Sequence, residues 1–272
     1  MKKRLDILLI EKGFFSSREK AKSTIMAGLV FVDGILCDKA GSGFHDEATI
    51  EIRGNACPYV SRGGLKLEKA LQIFDIDLKG FICLDIGAST GGFTDCMLQK
   101  GAAKVYAVDV GYGQLDWKLR TDERVVTMER VNFRYLDTDS IPDRFDFASA
   151  DVSFISLKLI FPVARELMKD KGILICLVKP QFEAGREQVG KKGIIIDPDV
   201  HKSVLFSVFE YAKANRFSLK NLTYSPVKGA KGNIEYLMCL QANDETDKES
   251  FFEDFNEKVN QTVHEAHSTL DE

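Results

Sequence analysis

The stretch Phe81–Thr94, with the sequence FICLDIGASTGGFT, constrains the fold more than any other part of the chain. An apolar run reaches Asp85 and Ile86, turns through Gly87, and becomes an amphipathic pattern after two further glycines. This order predicts a buried strand, a tight turn and the start of a helix, the place where open α/β sheets bind nucleotide-like ligands. Glycine in the turn allows positive φ and a close approach of the backbone to the ligand.

The glycine spacing limits the classes of ligand that the turn is expected to bind. G-x-x-x-G-G is neither the dinucleotide fingerprint nor the phosphate loop, and no lysine follows it, so an adenosyl group with little phosphate is favoured over a nicotinamide cofactor. The strand Val105–Asp109 ends in an acid placed to accept the ribose hydroxyls of an adenosine. These features resemble the S-adenosylmethionine (SAM) pocket of class I methyltransferases, although the turn alone also fits other Rossmann-like binders. The resemblance implies that SAM is held by Asp85, Gly87, Ala88, Ser89, Thr90, Gly91, Gly92, Phe93, Asp109 and Val110.

Strands and helices alternate after residue 80, which predicts an α/β fold with a mostly parallel sheet covered on both faces. The predicted strands are 81–86, 104–109, 124–128, 145–151, 173–179, 217–225 and 234–240, and the predicted helices are near 92–100, 113–121, 157–169 and 199–214. Because only residues 226–233 join the last two strands, they form a hairpin and the last strand runs antiparallel.

The N-terminal segment predicts a small α+β unit of two helices and a hairpin, with Asp33-Gly34 at the turn and a capping box of Ser16 and Glu19. Residues 1–32 hold seven basic residues against three acidic ones, which suits a polyanionic partner or a solvated surface. The unit resembles the alpha-L RNA-binding domain in Arg4-Leu5-Asp6, Ser17–Ala21 and Gly28–Gly34. A basic unit of this size could also bind protein, but the resemblance implies RNA contacts at Arg4, Arg18, Lys20 and Lys22.

We predict four regions: an RNA-binding domain at 1–55, a linker at 56–60, a catalytic domain at 61–241 and an acidic tail at 242–272. The tail carries ten acidic residues and two lysines, so the net charge of −4 conceals a body of +4 over residues 1–241. The tail is expected to be an acidic helix or disordered, without a function.

Composition excludes several classes. The chain has no apolar run of the roughly 20 residues that a membrane helix needs and no signal-peptide core. The six cysteines contain no C-x-x-C pair, so no zinc site is predicted, and several should be reduced thiols in the core. We therefore expect a cytoplasmic protein without a metal.

Ionisable residues from distant positions should converge beside the SAM pocket. Asp151 and Lys179 close the fourth and fifth strands, and Glu235 opens the antiparallel last strand, so all three lie at the same edge of the sheet. The helix that carries Lys66 precedes the first strand and could lie across the mouth of the pocket.

The set Lys66–Asp151–Lys179–Glu235 resembles the catalytic tetrad of the FtsJ-type RNA 2′-O-methyltransferases, and the whole of residues 2–241 resembles their TlyA, or haemolysin A, family. The motifs that carry this resemblance are Tyr59–Gly63, Asp85–Thr94, Asp109–Leu115, Asp151–Ser156, Val178–Glu183 and Gly232–Tyr236. It implies transfer of the SAM methyl to a cytidine 2′-hydroxyl in ribosomal RNA, with Lys179 as the base, Asp151 orienting it, and Lys66 and Glu235 positioning the ribose. Flanking basic residues, Arg62, Arg186, Lys191 and Lys192, are predicted RNA contacts.

Two alternatives remain at this point. One is an RNA-binding ribosome assembly factor whose methyl transfer is vestigial, which an intact tetrad disfavours. The other is a membrane-active haemolysin, which the absence of a spanning segment disfavours. The oligomeric state, the modified nucleotide and the ribosomal subunit are not predicted.

Overall fold

Elements of the computed structural model follow the predicted order and divide into two compact units, Met1–Gly64 and Leu65–Glu272. The structure describes residues 2–15, 17–26, 28–53, 57–190, 192–229, 231–243 and 252–270.

The N-terminal unit packs two helices against short antiparallel strands. Its elements are β1 (Lys3–Arg4), α1 (Leu5–Glu11), α2 (Arg18–Met26), β2 (Val30–Val32), β3 (Ile35–Cys37), β4 (Gly43–Phe44) and β5 (Ile50–Ile52). The strand order is β3-β2-β5, with β1 and β4 paired separately. Asp33 and Gly34 both have positive φ, as the predicted hairpin turn requires. The helices bury Leu5, Leu9, Ala21 and Ile25 against Val30 and Val32.

The predicted capping box of Ser16 and Glu19 depends on side chains that the structure does not describe. Ser16 lies outside the described residues. The hydroxyl of Ser17 accepts a hydrogen bond from the backbone N–H of Lys20 at 3.2 Å, which satisfies one of the first free donors of the helix.

A seven-stranded sheet forms the centre of the C-terminal unit. Its elements are α3 (Gly63–Phe74), β6 (Ile82–Ile86), α4 (Gly92–Gln99), β7 (Lys104–Asp109), α5 (Trp117–Arg120), β8 (Val125–Glu129), β9 (Phe145–Ala150), α6 (Phe161–Leu167), β10 (Met168–Val178), α7 (Pro180–Glu183), α8 (Pro198–Ala214), β11 (Phe217–Tyr224), β12 (Tyr236–Ala242) and α9 (Phe252–Leu270). The strand order is β11-β12-β10-β9-β6-β7-β8. Strands β6 to β10 pair in parallel, and β12 runs antiparallel to both neighbours. The predicted mostly parallel α/β fold with an antiparallel last strand is confirmed.

Two predicted elements differ in extent. The helix predicted near 113–121 is the single turn α5, because Gly113 has a φ of 68° and Asp116 caps the helix only at Trp117. The helix predicted to reach residue 169 ends at Leu167, where β10 begins five residues early; the register with β9 shifts between Met168 and Ile173.

The described part of the acidic tail is ordered as α9. Phe255, Val259, Val263 and Ala266 recur at helical spacing and are buried in the main core. The ring of Phe255 contacts that of Phe209 on α8 at a centroid distance of 4.5 Å. The helix α9 is therefore part of the fold of the C-terminal unit.

Within the described ranges, no helix is both long and apolar enough to cross a bilayer. Cys83, Cys96, Cys176 and Cys239 are buried among apolar residues. Burial raises the pKa of the Cys83 and Cys176 thiols, and that of Cys239 to about 12, which keeps them protonated and inert.

Candidate active site

The glycine turn after β6 brings two strand ends into contact. Gly87 has a φ of 85°, and a Cβ at this position would lie 2.6 Å from the backbone oxygen of Asp151. The N–H groups of Gly87 and Ala88 both donate to the carbonyl of Val108 at the end of β7. Only glycine therefore fits here, and the turn fixes the ends of β6, β7 and β9 relative to one another.

Asp109 is held with its carboxylate at the edge of the sheet. One carboxylate oxygen accepts the N–H of Ser89 at 2.8 Å, and the other accepts the N–H of Gly111 at 2.7 Å. Each oxygen keeps a further lone pair, so the oriented carboxylate can accept two hydroxyl donors.

A cavity of about 340 Å³ opens at the ends of β6, β7 and β9. Four of the predicted SAM residues line it: Gly87, Ser89, Asp109 and Val110. Sequence reasoning missed other lining residues, among them Gln114, Val131, Asn132 and Phe133. The last three follow the end of β8. The strand-end rule, which the sequence analysis applied to β7 and β9, would have found them if it had also been applied to β8.

The other predicted SAM residues, Ala88, Thr90, Gly91, Gly92, Phe93 and Asp85, support the turn from outside the cavity lining. Asp85 is fully buried inside β6, where it accepts the hydroxyls of Thr94 at 2.6 Å and Ser149 at 3.0 Å. Burial raises the pKa of Asp85 to about 6. Its contacts join α4 to β9, and contact of this side chain with the cofactor stays a prediction.

The four predicted tetrad residues meet in one cluster. Lys66 Nζ lies 2.7 Å from Glu235 Oε2 and 3.8 Å from Asp151 Oδ2. Lys179 Nζ lies 2.6 Å from Asp151 Oδ1. Asp151 therefore stands between the two ammonium groups, which alternate with the two carboxylates along the cluster.

The cluster is largely buried. Side-chain exposure is 11% for Lys66, 9% for Lys179 and 4% for Glu235. Burial alone would raise the pKa of Asp151, but the charges of Lys66 and Lys179 outweigh it, so the net effect lowers that pKa. Asp151 is therefore an ionised acceptor at neutral pH.

Helix α3 carries Lys66 into this cluster and is anchored one turn later. The ammonium of Lys69 lies 3.5 Å from the centre of the Tyr224 ring at the end of β11. Burial lowers the pKa of Lys69. Lys69, three residues after Lys66, therefore helps to fix the helix.

A second cavity, of about 490 Å³, lies on the other side of the cluster. Lys66, Lys179 and Glu235 line it, and it shares Ser153 and Phe154 with the first cavity. Asp151 lines the first cavity while bonding to both lysines of the second. The tetrad thus separates two adjoining binding spaces.

The loop after β9 contributes two residues that the sequence analysis did not assign. Ser153 accepts a hydrogen bond from Lys179 Nζ at 2.9 Å. Phe154 is 87% exposed, adopts a φ of 64°, and lies 4.9 Å from Phe182 between ring centroids. Glu183 fixes this loop by accepting the Ser156 hydroxyl and the Leu157 N–H. Both missed residues belong to the Asp151–Ser156 motif, but the motif alone does not show their contacts with Lys179 and Phe182.

The predicted RNA contacts fall into several environments. Arg4 and Arg18 both pair with the buried carboxylate of Asp6, at 3.0 and 2.9 Å, while about half of each arginine side chain remains exposed. Lys20 is exposed, and Lys22 and Arg62 are half-buried. In the C-terminal unit Arg186 and Lys192 are exposed, and Lys191 lies outside the described residues. RNA binding by these side chains stays a prediction.

The described part of the chain contains no group of three or more His, Cys, Asp or Glu side chains arranged to hold a metal ion. The candidate site consists of the two cavities and the tetrad.

Comparison with known proteins agrees with the division of the chain into two units. Residues 59–242 match the FtsJ-like methyltransferase family, and residues 3–49 match the S4 domain. The chain is 51% identical over its full length to "Putative rRNA methyltransferase YqxC" of Bacillus subtilis, covering 96% of that protein. It is 38% identical to "16S/23S rRNA (cytidine-2'-O)-methyltransferase TlyA" of Mycobacterium tuberculosis, over 97% of this chain and 98% of that one.

A solved structure, "Putative hemolysin from Streptococcus thermophilus", matches with a TM-score of 0.79 and 47% identity, covering 98% of this chain and 96% of that chain. The matched FtsJ-like region contains all four tetrad residues. The matches to the two relatives cover nearly the whole length of each relative. This chain belongs to the TlyA family of FtsJ-like methyltransferases and carries an N-terminal S4 domain.

Proposed function

We propose that this protein transfers a methyl group from SAM to the ribose 2′-hydroxyl of a cytidine in ribosomal RNA. The observation that carries the proposal is the position of Asp151, which lines the first cavity and bonds to both lysines of the second. A direct group transfer needs its two substrates to be held in adjoining spaces, and the charged cluster lies where these two cavities meet. The mycobacterial relative is named as a cytidine-2′-O-methyltransferase, which supports the choice of cytidine. A ribosomal substrate also supports a cytoplasmic location for the protein.

The first cavity suits the adenosyl end of SAM. The fixed carboxylate of Asp109 would accept the ribose hydroxyls, and Val110, Val131 and Phe133 offer apolar contact for an adenine ring. Gly87 lines this cavity, and its lack of a side chain lets the turn approach the backbone of Asp151, which lines the same cavity. When bound, SAM supplies an electrophilic methyl group on a sulfonium centre.

The second cavity suits the acceptor nucleotide. Lys179 would receive the proton of the 2′-hydroxyl, because its Nζ is held by Asp151 and Ser153 at the wall shared with the first cavity. The ionised Asp151 keeps this ammonium or amine in place. Lys66, fixed by Glu235 at 2.7 Å, would hold the ribose from the other side. Proton removal and alignment are the main tasks left to the protein, since the sulfonium is already a good leaving group.

The test is transfer of tritium from labelled SAM to each purified ribosomal subunit, followed by mapping of the methylated ribose. Wild-type protein should label one defined cytidine or a small set of them, and Asp151→Asn should not. The exposed Lys220→Ala variant, on β11, is the matched control and should keep full activity. Binding of subunits without any methyl transfer by the wild type would favour an assembly factor instead.

A further inference from the structure

Gln181 is a polar residue of the second cavity that the mechanism above does not use. It lies on α7, two residues after Lys179, and lines the cavity together with Lys66, Lys179 and Glu235. Its side-chain oxygen, Oε1, is inaccessible to solvent and has no hydrogen-bond partner.

An unpaired buried carbonyl is unfavourable. Leaving a buried acceptor without a donor is costly, and the large majority of buried side-chain polar atoms in folded proteins are paired. Gln181 lines the cavity, so a small rotation of its side chain would bring Oε1 to a ligand there that supplies the missing donor. The position of this orphan oxygen therefore indicates what the cavity binds.

The surroundings of Gln181 fit a nucleobase. Phe182, the next residue, packs against the exposed ring of Phe154, and both line the same cavity. Flat aromatic side chains are the usual partners of an unstacked base, whose edge is then read by hydrogen bonds. Gln181 is the amide side chain that lies next to this aromatic pair on α7.

We propose that Gln181 reads the base of the target nucleotide, with Oε1 accepting the exocyclic amino group of cytosine and the amide nitrogen donating to the neighbouring ring nitrogen. The inference rests on the proposed function and extends it from the ribose to the base. A glutamine amide has an acceptor and a donor side by side, which complements the amino donor and ring-nitrogen acceptor of cytosine. Uracil presents the opposite pattern, so it would pair only after the amide turned over, which exchanges the positions of Oε1 and Nε2.

The test uses the full-length protein and subunits reconstituted with cytidine or uridine at the mapped position. Gln181→Leu removes the amide and keeps a similar volume. We expect its kcat/KM on the cytidine substrate to fall roughly 10- to 100-fold, because a good pair of contacts to one base discriminates by about 1–3 kcal/mol. Its preference for cytidine over uridine should collapse, while its affinity for SAM stays unchanged.

Stability provides the readout that separates this role from a structural one. Because Oε1 is unpaired in the free protein, Gln181→Leu should leave the melting temperature unchanged or raise it. The same substitution at the exposed Gln72 on α3 is the control and should change neither the rate nor the preference.

Gln181→Glu is the second variant, because it keeps an acceptor where the cytosine amino group would bind. It should retain the preference for cytidine at a reduced rate, and it decides the case if Gln181→Leu does not fold. A wild-type preference that survives unchanged in Gln181→Leu, a lowered melting temperature with the preference intact, or a wild type that methylates uridine as readily as cytidine would each overturn the inference. Loss of all methyl transfer by the wild type would instead overturn the proposed function itself.

Discussion

Lys179 Nζ lies 2.6 Å from Asp151 Oδ1, joining the ends of two adjacent parallel strands, β9 and β10. Lys179→Ala should therefore reduce methyl transfer by roughly 10²- to 10⁴-fold, the usual contribution of a positioned base. SAM affinity should stay within about twofold, because Lys179 lines only the second cavity. Single-turnover transfer and calorimetric SAM binding measure the two effects. Normal turnover by this variant would remove Lys179 from the mechanism.

Asp109 should control SAM binding rather than the chemical step. Asp109→Asn keeps one acceptor oxygen but places an amide where the other carboxylate oxygen accepts a backbone N–H. We expect SAM affinity to weaken roughly 10- to 100-fold, equivalent to the loss of about 1–3 kcal/mol of charge-assisted hydrogen bonding. Isothermal titration gives the affinity, with Glu123→Gln, an exposed change, as the control. Equal SAM affinity in Asp109→Asn and wild type would place the ribose elsewhere.

Basic residues of the loop after α7 should contribute to the salt dependence of RNA binding. Arg186 and Lys192 are exposed, and replacing both with alanine should reduce the slope of log affinity against log salt by roughly 1 to 2. Lys202→Ala combined with Lys220→Ala removes the same charge from α8 and β11 and serves as the control. If the slopes of the two double variants match that of the wild type, Arg186 and Lys192 are ordinary surface charges.

Buried Asp85 should make stability fall as the pH rises. Its pKa is about 6 in the folded protein and 3.8 in the unfolded chain, so between these values the folded state binds more protons. The linkage then removes about 2 kcal/mol of stability between pH 4 and pH 7. Asp85→Asn should lack this decline, as measured by urea unfolding across the pH range.

The exposed Asp170→Asn variant controls for the general effect of removing a carboxylate. A stability difference between Asp85→Asn and wild type that is constant from pH 4 to pH 7 would show that Asp85 does not titrate in this window.

Positions at strand ends were predictable from the sequence, whereas side-chain directions were not. Asp109 ends β7 and Asp151 follows the end of β9, so both face the ligand edge, as the strand-end rule predicts. Asp85 precedes the last residue of β6, and side chains within a strand point away from the plane of the sheet. The sequence motif does not predict that Asp85 bonds to Thr94 and Ser149, and its contact with the cofactor stays a prediction.

Contacts between distant segments also escaped the sequence. Glu183 accepts hydrogen bonds from Ser156 and Leu157, 27 and 26 residues earlier in the chain, and so joins α7 to the loop after β9. The unpaired oxygen of Gln181 likewise depends on the packing around it. The acidic composition of the tail concealed the apolar stripe of α9, because its buried residues recur only once in each turn. Such features follow from packing, not from local pattern.

The central claim is that the tetrad directs methyl transfer to a ribose 2′-hydroxyl. It is tested most directly by reconstituting the substrate subunit with 2′-deoxycytidine at the mapped position and measuring tritium transfer from labelled SAM. The deoxy substrate should bind the protein but accept no methyl group there, whereas the matched cytidine substrate is labelled. Continued methylation of the deoxy nucleotide would place the methyl on the base and contradict the account.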